Sequence, residues 1–293
     1  MALWIAVLLG VVQGLFMFLP VSSTAHMVLV EHWLIARGHE LPAPESPEMI
    51  LFALVVHVGT LVSIVVVFWS SLSRFCQRAA CDGLTWARAG GRKRPQVFFR
   101  LFLLGMFSVL CTGILGLGLR AGFEFVFARP GMVAASLVFT GLVLWWTDRL
   151  SPRKGRLKTT GLGTAAVIGL AQGMALAPGL SRSAMTIVFA LFCGLKRRWA
   201  AEYSFFLAIP TILAATLVQG AGIARSGAGL GEVSLAALAV GFVVAAVVGV
   251  ISLKLVIVLL YRAQLKIFAF YVWALALLIL LGVIDLGGGV GSW

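Results

Sequence analysis

Two short segments of this chain place hydroxyl groups beside an ionisable side chain inside otherwise apolar sequence. The segment PVSSTAH at 20–26 carries serine, threonine and histidine, and the segment PGLSRSAMT at 178–186 carries serine, threonine and an arginine. Serine beside histidine can form a nucleophile and base pair. A guanidinium surrounded by hydroxyls can bind phosphate through charge-assisted hydrogen bonds. Together the two segments predict a site for phosphoryl chemistry.

Arg182 is the most informative residue of the second segment. An arginine at membrane depth costs roughly 2.5–3.5 kcal/mol, so its presence needs a reason. One interpretation is a side chain that extends to the membrane surface. The neighbouring hydroxyls favour a phosphate cradle, completed by free N–H groups at a helix start. We therefore expect Arg182 to bind phosphate, with Ser181, Ser183 and Thr186 as further substrate-binding donors.

Ser23 and His26 are the candidates for catalysis in the first segment. They lie within about one helical turn of each other, and symmetry between the segments would turn His26 towards the Arg182 loop. A lone histidine in an apolar helix can equally be a packing residue. Otherwise Ser23 and His26 form a nucleophile and base pair, or His26 is itself the nucleophile or the acid for the leaving phosphate. Ser22 and Thr24 are expected to bind substrate.

Two glutamines and a second histidine are weaker candidates. Gln13 and Gln172 occupy matching positions in the repeated motif Gly-x-x-Gln-Gly. Hydrogen bonding between helices is the favoured interpretation for Gln172, whereas Gln13 is a candidate substrate-binding residue. His57 lies within an apolar run and either bonds a neighbouring helix or lines the site. The four cysteines lack metal-ligand spacing, and no metal-binding residue is predicted.

The composition identifies the elements that must position these residues. The chain is 61% hydrophobic and 11% charged, with a mean hydropathy of +1.06, against about 45–50% and roughly 25% in soluble domains. Its apolar runs are continuous and close to 20 residues long, which predicts an all-α polytopic membrane protein. Six full transmembrane helices are predicted at 51–69, 98–119, 131–148, 203–222, 233–258 and 267–285.

The net charge of +13 raises the question of nucleic-acid binding. If the connection 70–97 is cytoplasmic, the sides alternate so that most of the 23 Lys and Arg residues fall on the cytoplasmic side. This is the positive-inside distribution of membrane proteins. Orientation therefore explains the basic excess, and the sequence predicts no nucleic-acid partner.

The two motif segments lie in the apolar regions that the six spans leave unassigned. Regions 1–36 and 160–195 each contain two short apolar stretches joined at a proline, which is typical of a re-entrant helical hairpin. Each half, about 1–148 and 160–285, is then a hairpin plus three crossings. Because three is odd, the halves form an inverted repeat within one integral membrane domain, 1–293, and Pro20 and Pro178 should meet at mid-membrane.

At these residues the chain resembles the undecaprenyl-pyrophosphate phosphatase family linked to bacitracin resistance. The resemblance covers nearly the whole chain, through FLPVSSTAH, GLAQG with PGLSRS, Phe68 with Trp69, and the closing YRAQLKIFAFYVWALALL. It implies paired re-entrant hairpins in an inverted repeat. It also implies removal of the terminal phosphate from undecaprenyl diphosphate, with the site facing the outer side of the bacterial cytoplasmic membrane. The implied partners are the polyprenyl diphosphate lipid and the bilayer, and the resemblance also allows a homodimer.

The resemblance assigns roles to the motif residues. Ser23 and His26 match the family's catalytic serine and histidine, and Arg182 matches its phosphate-binding arginine. The residues that match its pocket hydroxyls are Ser22, Thr24, Ser181 and Ser183.

The chain departs from the family pattern at the acidic residues. Two family glutamates correspond to Gln13 and Met17, a third corresponds to Ala53, and a family glutamine corresponds to His57. In the family the glutamates are expected to hold a divalent cation, Mg²⁺ or Ca²⁺, or to assist proton transfer. The thioether of Met17 can neither bind a hard cation nor transfer a proton. Two functions therefore stay open. One is a hydrolase that relies on the Ser/His/Arg set, with His57 substituting for the missing acidic residues. The other is a protein that binds or transports polyprenyl phosphate without cleaving it.

Overall fold

All regular elements in the described part of the chain are α-helices. The computed structural model describes residues 1–44, 46–91, 95–119, 130–150, 155, 160–177, 179–225 and 233–282. Pro178 of the second motif lies outside these residues. The eleven helices are α1 (Leu3–Phe16), α2 (Ser23–Ala36), α3 (Pro47–Val67), α4 (Trp69–Arg88), α5 (Val97–Gly118), α6 (Pro130–Asp148), α7 (Leu162–Met174), α8 (Arg182–Phe192), α9 (Arg197–Arg225), α10 (Leu235–Tyr261) and α11 (Lys266–Leu280).

Five of the described helices are long and apolar enough to cross a membrane: α3, α5, α6, α9 and α10. They coincide with the first five predicted spans, and the prediction of an all-α polytopic membrane protein is confirmed. The sixth predicted span, 267–285, corresponds to α11, which has 15 residues. Its length is therefore about 22 Å, and the end of the predicted range lies beyond the described residues.

The four helices of the predicted hairpins are shorter. α1 and α2 have 14 residues each, α7 has 13 and α8 has 11. At 1.5 Å per residue they are about 17–21 Å long, less than the ~30 Å hydrocarbon core. α1 contacts α2, and α7 contacts α8. These lengths and contacts fit re-entrant hairpins, whose number stays a prediction.

The two hairpins pack reciprocally on the two halves of the chain. α1 packs on α10 from the second half, and α7 packs on α5 from the first half. Both contacts are close backbone approaches that only glycine permits. A Cβ added at Gly14 would lie 2.8 Å from the Ala245 carbonyl oxygen, and one at Gly169 would lie 2.4 Å from the Ser108 carbonyl oxygen. This exchange of partners supports the inverted repeat.

The connection 70–97, predicted as a cytoplasmic loop, contains a 20-residue helix, α4. Ala79 is its only buried residue. The Asp82 carboxylate accepts a hydrogen bond from the Phe98 N–H at 3.0 Å and so attaches α4 to the start of α5. The Arg78 guanidinium lies 5.1 Å from the centre of the Phe98 ring. The sequence prediction missed α4 because a helix with one narrow apolar face and many charges has the composition of a loop.

Candidate active site

The two motif segments meet around one cavity of about 490 Å³. Its wall comes from α2, α3, α9 and the two segments that join the short helices. Apolar side chains such as Phe16, Met27, Leu54 and Leu176 form much of the surface. The polar residues on the wall are Ser22, Ser23, Thr24, Glu31, His57, Ser181, Arg182, Ser183, Thr211, Thr216 and Gln219. Six of the nine predicted site residues therefore share one cavity, and Gln13, His26 and Thr186 are not on its wall.

The start of α2 is built on an unusual backbone conformation at Ser22. Ser22 is the N-cap residue with φ of 70°, and its side chain makes no capping hydrogen bond. A positive φ is uncommon outside glycine and costs of order 1–3 kcal/mol, which is typical of functional sites. Because no side chain caps α2, N–H groups of its first turn remain available to an anion beside the Ser23 hydroxyl.

The start of α8 places Arg182 on the wall of the same cavity. Ser181 is the N-cap residue, and its hydroxyl accepts a hydrogen bond from Ala184 N–H at 3.3 Å. The Ser183 hydroxyl lies 3.2 Å from the Ser181 hydroxyl. Gly179 has φ of +82°, and a Cβ there would lie 2.7 Å from the Val133 carbonyl oxygen. Glycine is thus required at this turn, which holds the arginine at the cavity.

Three hydrogen-bond donors converge on the Met17 sulfur. Gln13 Nε2 lies 3.4 Å from Met17 Sδ, Arg182 Nη2 lies 3.9 Å from it, and the Ser23 hydroxyl lies 4.0 Å from it. A thioether is only a weak acceptor. Arg182 Nη1 and Gln13 Oε1 are both buried without a partner. Within the described residues Arg182 forms no ion pair, so its charge is available to a ligand.

His26 does not face Arg182, contrary to the expectation from symmetry. Its Nδ1 lies 2.7 Å from the Ser22 carbonyl oxygen, and its Nε2 lies 2.7 Å from the Tyr271 hydroxyl. Its ring stacks on Phe16 with the centroids 3.9 Å apart. A carbonyl can only accept, so Nδ1 carries the proton and a neutral ring accepts from Tyr271 through Nε2. This aromatic slot occupies both ring nitrogens of His26.

His57 lies on the cavity, which decides between the two interpretations of this residue. Its Nδ1 lies 2.7 Å from the Ala53 carbonyl oxygen in its own helix. Nδ1 must therefore donate, and a neutral ring presents the lone pair of Nε2. His57 lines the same cavity as Ser23 and Arg182. It is the better placed of the two histidines to accept a proton.

Glu31 is a cavity residue that sequence reasoning missed. It is 5% exposed, lines the cavity and forms no ion pair with another described residue. The signal was its spacing: Ser23, Met27 and Glu31 are four residues apart on one face of α2. Isolated buried carboxylates are rare and mark functional sites in membranes.

Three of the predicted polar residues have structural contacts. The Thr186 hydroxyl donates to the Arg182 carbonyl oxygen at 2.9 Å and bonds the Ser204 hydroxyl, so it ties α8 to α9. Gln172 Nε2 donates to Thr112 on α5 at 3.0 Å and to Thr211 on α9 at 2.9 Å, which confirms interhelical bonding for this residue. Gln13 is fully buried behind Met17.

The residues at the site do not fit a resident divalent cation. The positions that the family resemblance assigns to glutamates hold Gln13, Met17 and Ala53, and Glu31 is the one carboxylate among the described residues of the cavity wall. Mg²⁺ and Ca²⁺ take mainly carboxylate and carbonyl oxygens. Across the described residues, no three His, Cys, Asp or Glu side chains are grouped as a metal site would need.

The chain matches one protein family over most of its length. Residues 6–278 match the family described as Bacitracin resistance protein BacA. The chain is 70% identical over 291 residues to an undecaprenyl-diphosphatase of Alkalilimnicola ehrlichii, covering 99% of this chain and 100% of that protein. It is 70% identical over 286 residues to one of Halorhodospira halophila, with 98% and 99% covered. An undecaprenyl-diphosphatase of Carboxydothermus hydrogenoformans is 33% identical over 275 residues, with 94% and 95% covered.

Proposed function

The chain belongs to the bacitracin-resistance protein BacA family, and we propose that it hydrolyses undecaprenyl diphosphate to undecaprenyl phosphate and inorganic phosphate. The observation that carries this function is the uncompensated guanidinium of Arg182 in a cavity shared with the Ser23 hydroxyl. A lipid diphosphate supplies both the anion for the guanidinium and a chain for the apolar wall. No contact among the described residues specifically favours the alternative function, a carrier that binds the lipid without cleaving it.

Diphosphate binding is assigned to the starts of α2 and α8. The planar fork of Arg182 can donate two parallel hydrogen bonds to phosphoryl oxygens. The hydroxyls of Ser22, Ser181 and Ser183 and the N–H groups of the α2 start add neutral donors. The polyprenyl chain packs on apolar residues of the wall, among them Met27 and Leu176.

Ser23 is the nucleophile of the proposed reaction. Its hydroxyl oxygen attacks the terminal phosphorus and gives its proton to His57 Nε2, and the bond from that phosphorus to the bridging oxygen breaks. Undecaprenyl phosphate leaves, and a phosphoserine remains. Water then attacks the phosphoserine, the bond from phosphorus to the Ser23 oxygen breaks, and His57 returns its proton to that oxygen. Inorganic phosphate leaves with the oxygen and both protons of the water. Arg182 and the helix-start N–H groups stabilise the charge on the equatorial oxygens.

His26 is proposed as a positioning residue in this scheme. Its Nδ1–H donates a hydrogen bond to the Ser22 carbonyl oxygen. This bond fixes the turn that presents the Ser23 hydroxyl. No step needs a divalent cation, because Arg182 and the donors of the two helix starts carry the charge stabilisation.

Orientation is proposed from charge. We place the cavity on the outer side of the bacterial cytoplasmic membrane. The basic residues at the start of α9 lie at the end of that helix away from the cavity, and positive residues favour the cytoplasmic side. The polyprenyl lipid and the bilayer are the proposed partners, and the homodimer stays a prediction.

Release of phosphate separates hydrolysis from binding alone. The purified protein in detergent should release phosphate from undecaprenyl diphosphate with and without Mg²⁺, and Ser23→Ala should abolish release while the lipid still binds. Ser73→Ala on α4, a residue that does not line the cavity, should behave as wild type. A wild-type protein that binds the lipid and releases no phosphate would establish the carrier instead.

A further inference from the structure

A second cavity of about 840 Å³ lies between α4, the start of α5 and the first half of α9. Ligand pockets are typically about 300–1,000 Å³ and mainly apolar. The walls of this cavity are formed largely by apolar side chains, among them Leu101, Phe102, Met106 and Leu213. Phe102, Met106 and Leu213 are also exposed on the molecular surface, so the apolar part of the cavity is continuous with a face that lies in the bilayer.

Basic side chains line the same cavity: Arg74, Arg78, Lys196 and Arg198. Arg198 pairs with Glu202 at 3.1 Å, which offsets its charge. Arg74 and Lys196 are exposed and form no ion pair within the described part of the chain. The cavity therefore combines an excess of about three positive charges with long apolar walls.

This cavity is distinct from the active site. α9 lines both, with residues from Arg198 to Leu213 on the second cavity and from Thr211 to Gln219 on the active site. From Arg198 to Thr211, the first residue of α9 on the active-site cavity, the helix is about 20 Å long. The basic end of the second cavity is therefore well separated from the active site, and its positive charge favours the cytoplasmic membrane surface.

We propose that this second cavity binds an anionic phospholipid of the adjacent leaflet. The headgroup phosphate is held by Arg74, Arg78 and Lys196, and an acyl chain lies along Phe102 and Met106. Basic pockets between transmembrane helices recognise anionic headgroups in this way. The apolar walls would contribute nothing to a soluble anion, and the cations would contribute little to a neutral lipid. The proposal stands independently of the hydrolytic activity.

Two matched pairs of variants of the full-length protein test the proposal, read by native mass spectrometry of lipid retained per chain. Wild type should retain phosphatidylglycerol in preference to phosphatidylcholine. The triple variant Arg74→Gln, Arg78→Gln, Lys196→Gln should weaken retention on the order of 100-fold, since each cation contributes separately. The control triple Arg88→Gln, Arg262→Gln, Lys266→Gln removes the same charge from exposed positions that do not line the cavity and should leave retention unchanged.

The second pair tests the apolar part of the cavity. Gly105 lines it, and a Cβ at Gly105 or at Gly113 of the same helix meets nothing within 4 Å. Gly105→Phe should fill the cavity and remove the bound lipid, whereas Gly113→Phe should retain it. Equal loss in both charge triples would overturn the proposal, as would full retention in Gly105→Phe. Preference for undecaprenyl phosphate over phosphatidylglycerol would also overturn it.

Discussion

At the residue scale, the site is defined by donors without a strong acceptor. The amide of Gln13, the guanidinium of Arg182 and the hydroxyl of Ser23 all point at the Met17 thioether. A carboxylate at this position would accept all three bonds and would also supply an oxygen ligand for a cation. Met17 instead leaves the arginine to the substrate.

Restoring the acidic pair should change the response to metal. Gln13→Glu with Met17→Glu supplies carboxylate oxygens beside the nucleophile, so phosphate release should rise and become dependent on Mg²⁺ or Ca²⁺. Wild type should respond only weakly to either ion. Met17→Gln, which is uncharged, serves as the control. Phosphate release measured with a chelator and with each ion tests this metal dependence. An unchanged metal response in the double variant would contradict this account.

The two histidines should differ in their kinetic effects. His57→Ala should lower kcat by roughly 10²–10⁴, the usual contribution of a general base, and should remove the acidic limb of the pH–rate profile. His26→Ala should lower activity while keeping that limb. His26→Asn should recover part of the lost activity, because its amide can donate a hydrogen bond to the Ser22 carbonyl oxygen. If the limb vanished in His26→Ala and survived in His57→Ala, the assigned roles would be reversed.

At the element scale, the hairpins are positioned by helices that touch at glycines. Gly14→Ala and Gly169→Ala each push a methyl group into backbone atoms of the partner helix, and overpacking of this kind costs about 1–3 kcal/mol. Both variants should show a lower Tm in detergent. Gly163→Ala on α7, where a Cβ meets nothing within 4 Å, should keep or raise the Tm. Unchanged Tm in both buried variants would show that the contacts are looser than described.

At the scale of the whole molecule, the inverted repeat sets the side of each connection. Single cysteines introduced as His39→Cys and Arg149→Cys in a cysteine-free background should be labelled from opposite sides of the membrane. Labelling of both from the same side would contradict the inverted topology.

The sequence predicted the general layout better than the local orientation of side chains. Hydropathy located five long helices, and the repeated motif placed Ser23 and Arg182 in one cavity. The direction of the His26 ring could not be predicted, because Phe16 and Tyr271 reach it through tertiary packing from other helices. Glu31 was visible in the spacing of α2, but its burial depends on helices distant in sequence.

The central claim is that Arg182 holds the diphosphate that Ser23 attacks, and substitution of the arginine tests it most directly. Hydrogen bonds to charged groups contribute about 1.5–3 kcal/mol each, so Arg182→Lys, which keeps the charge and loses the fork, should weaken binding of undecaprenyl diphosphate roughly 10-fold to 100-fold. Arg182→Ala should abolish measurable phosphate release, and the exposed Arg262→Lys should match wild type. Phosphate release by Arg182→Ala with wild-type kcat and KM would contradict the account.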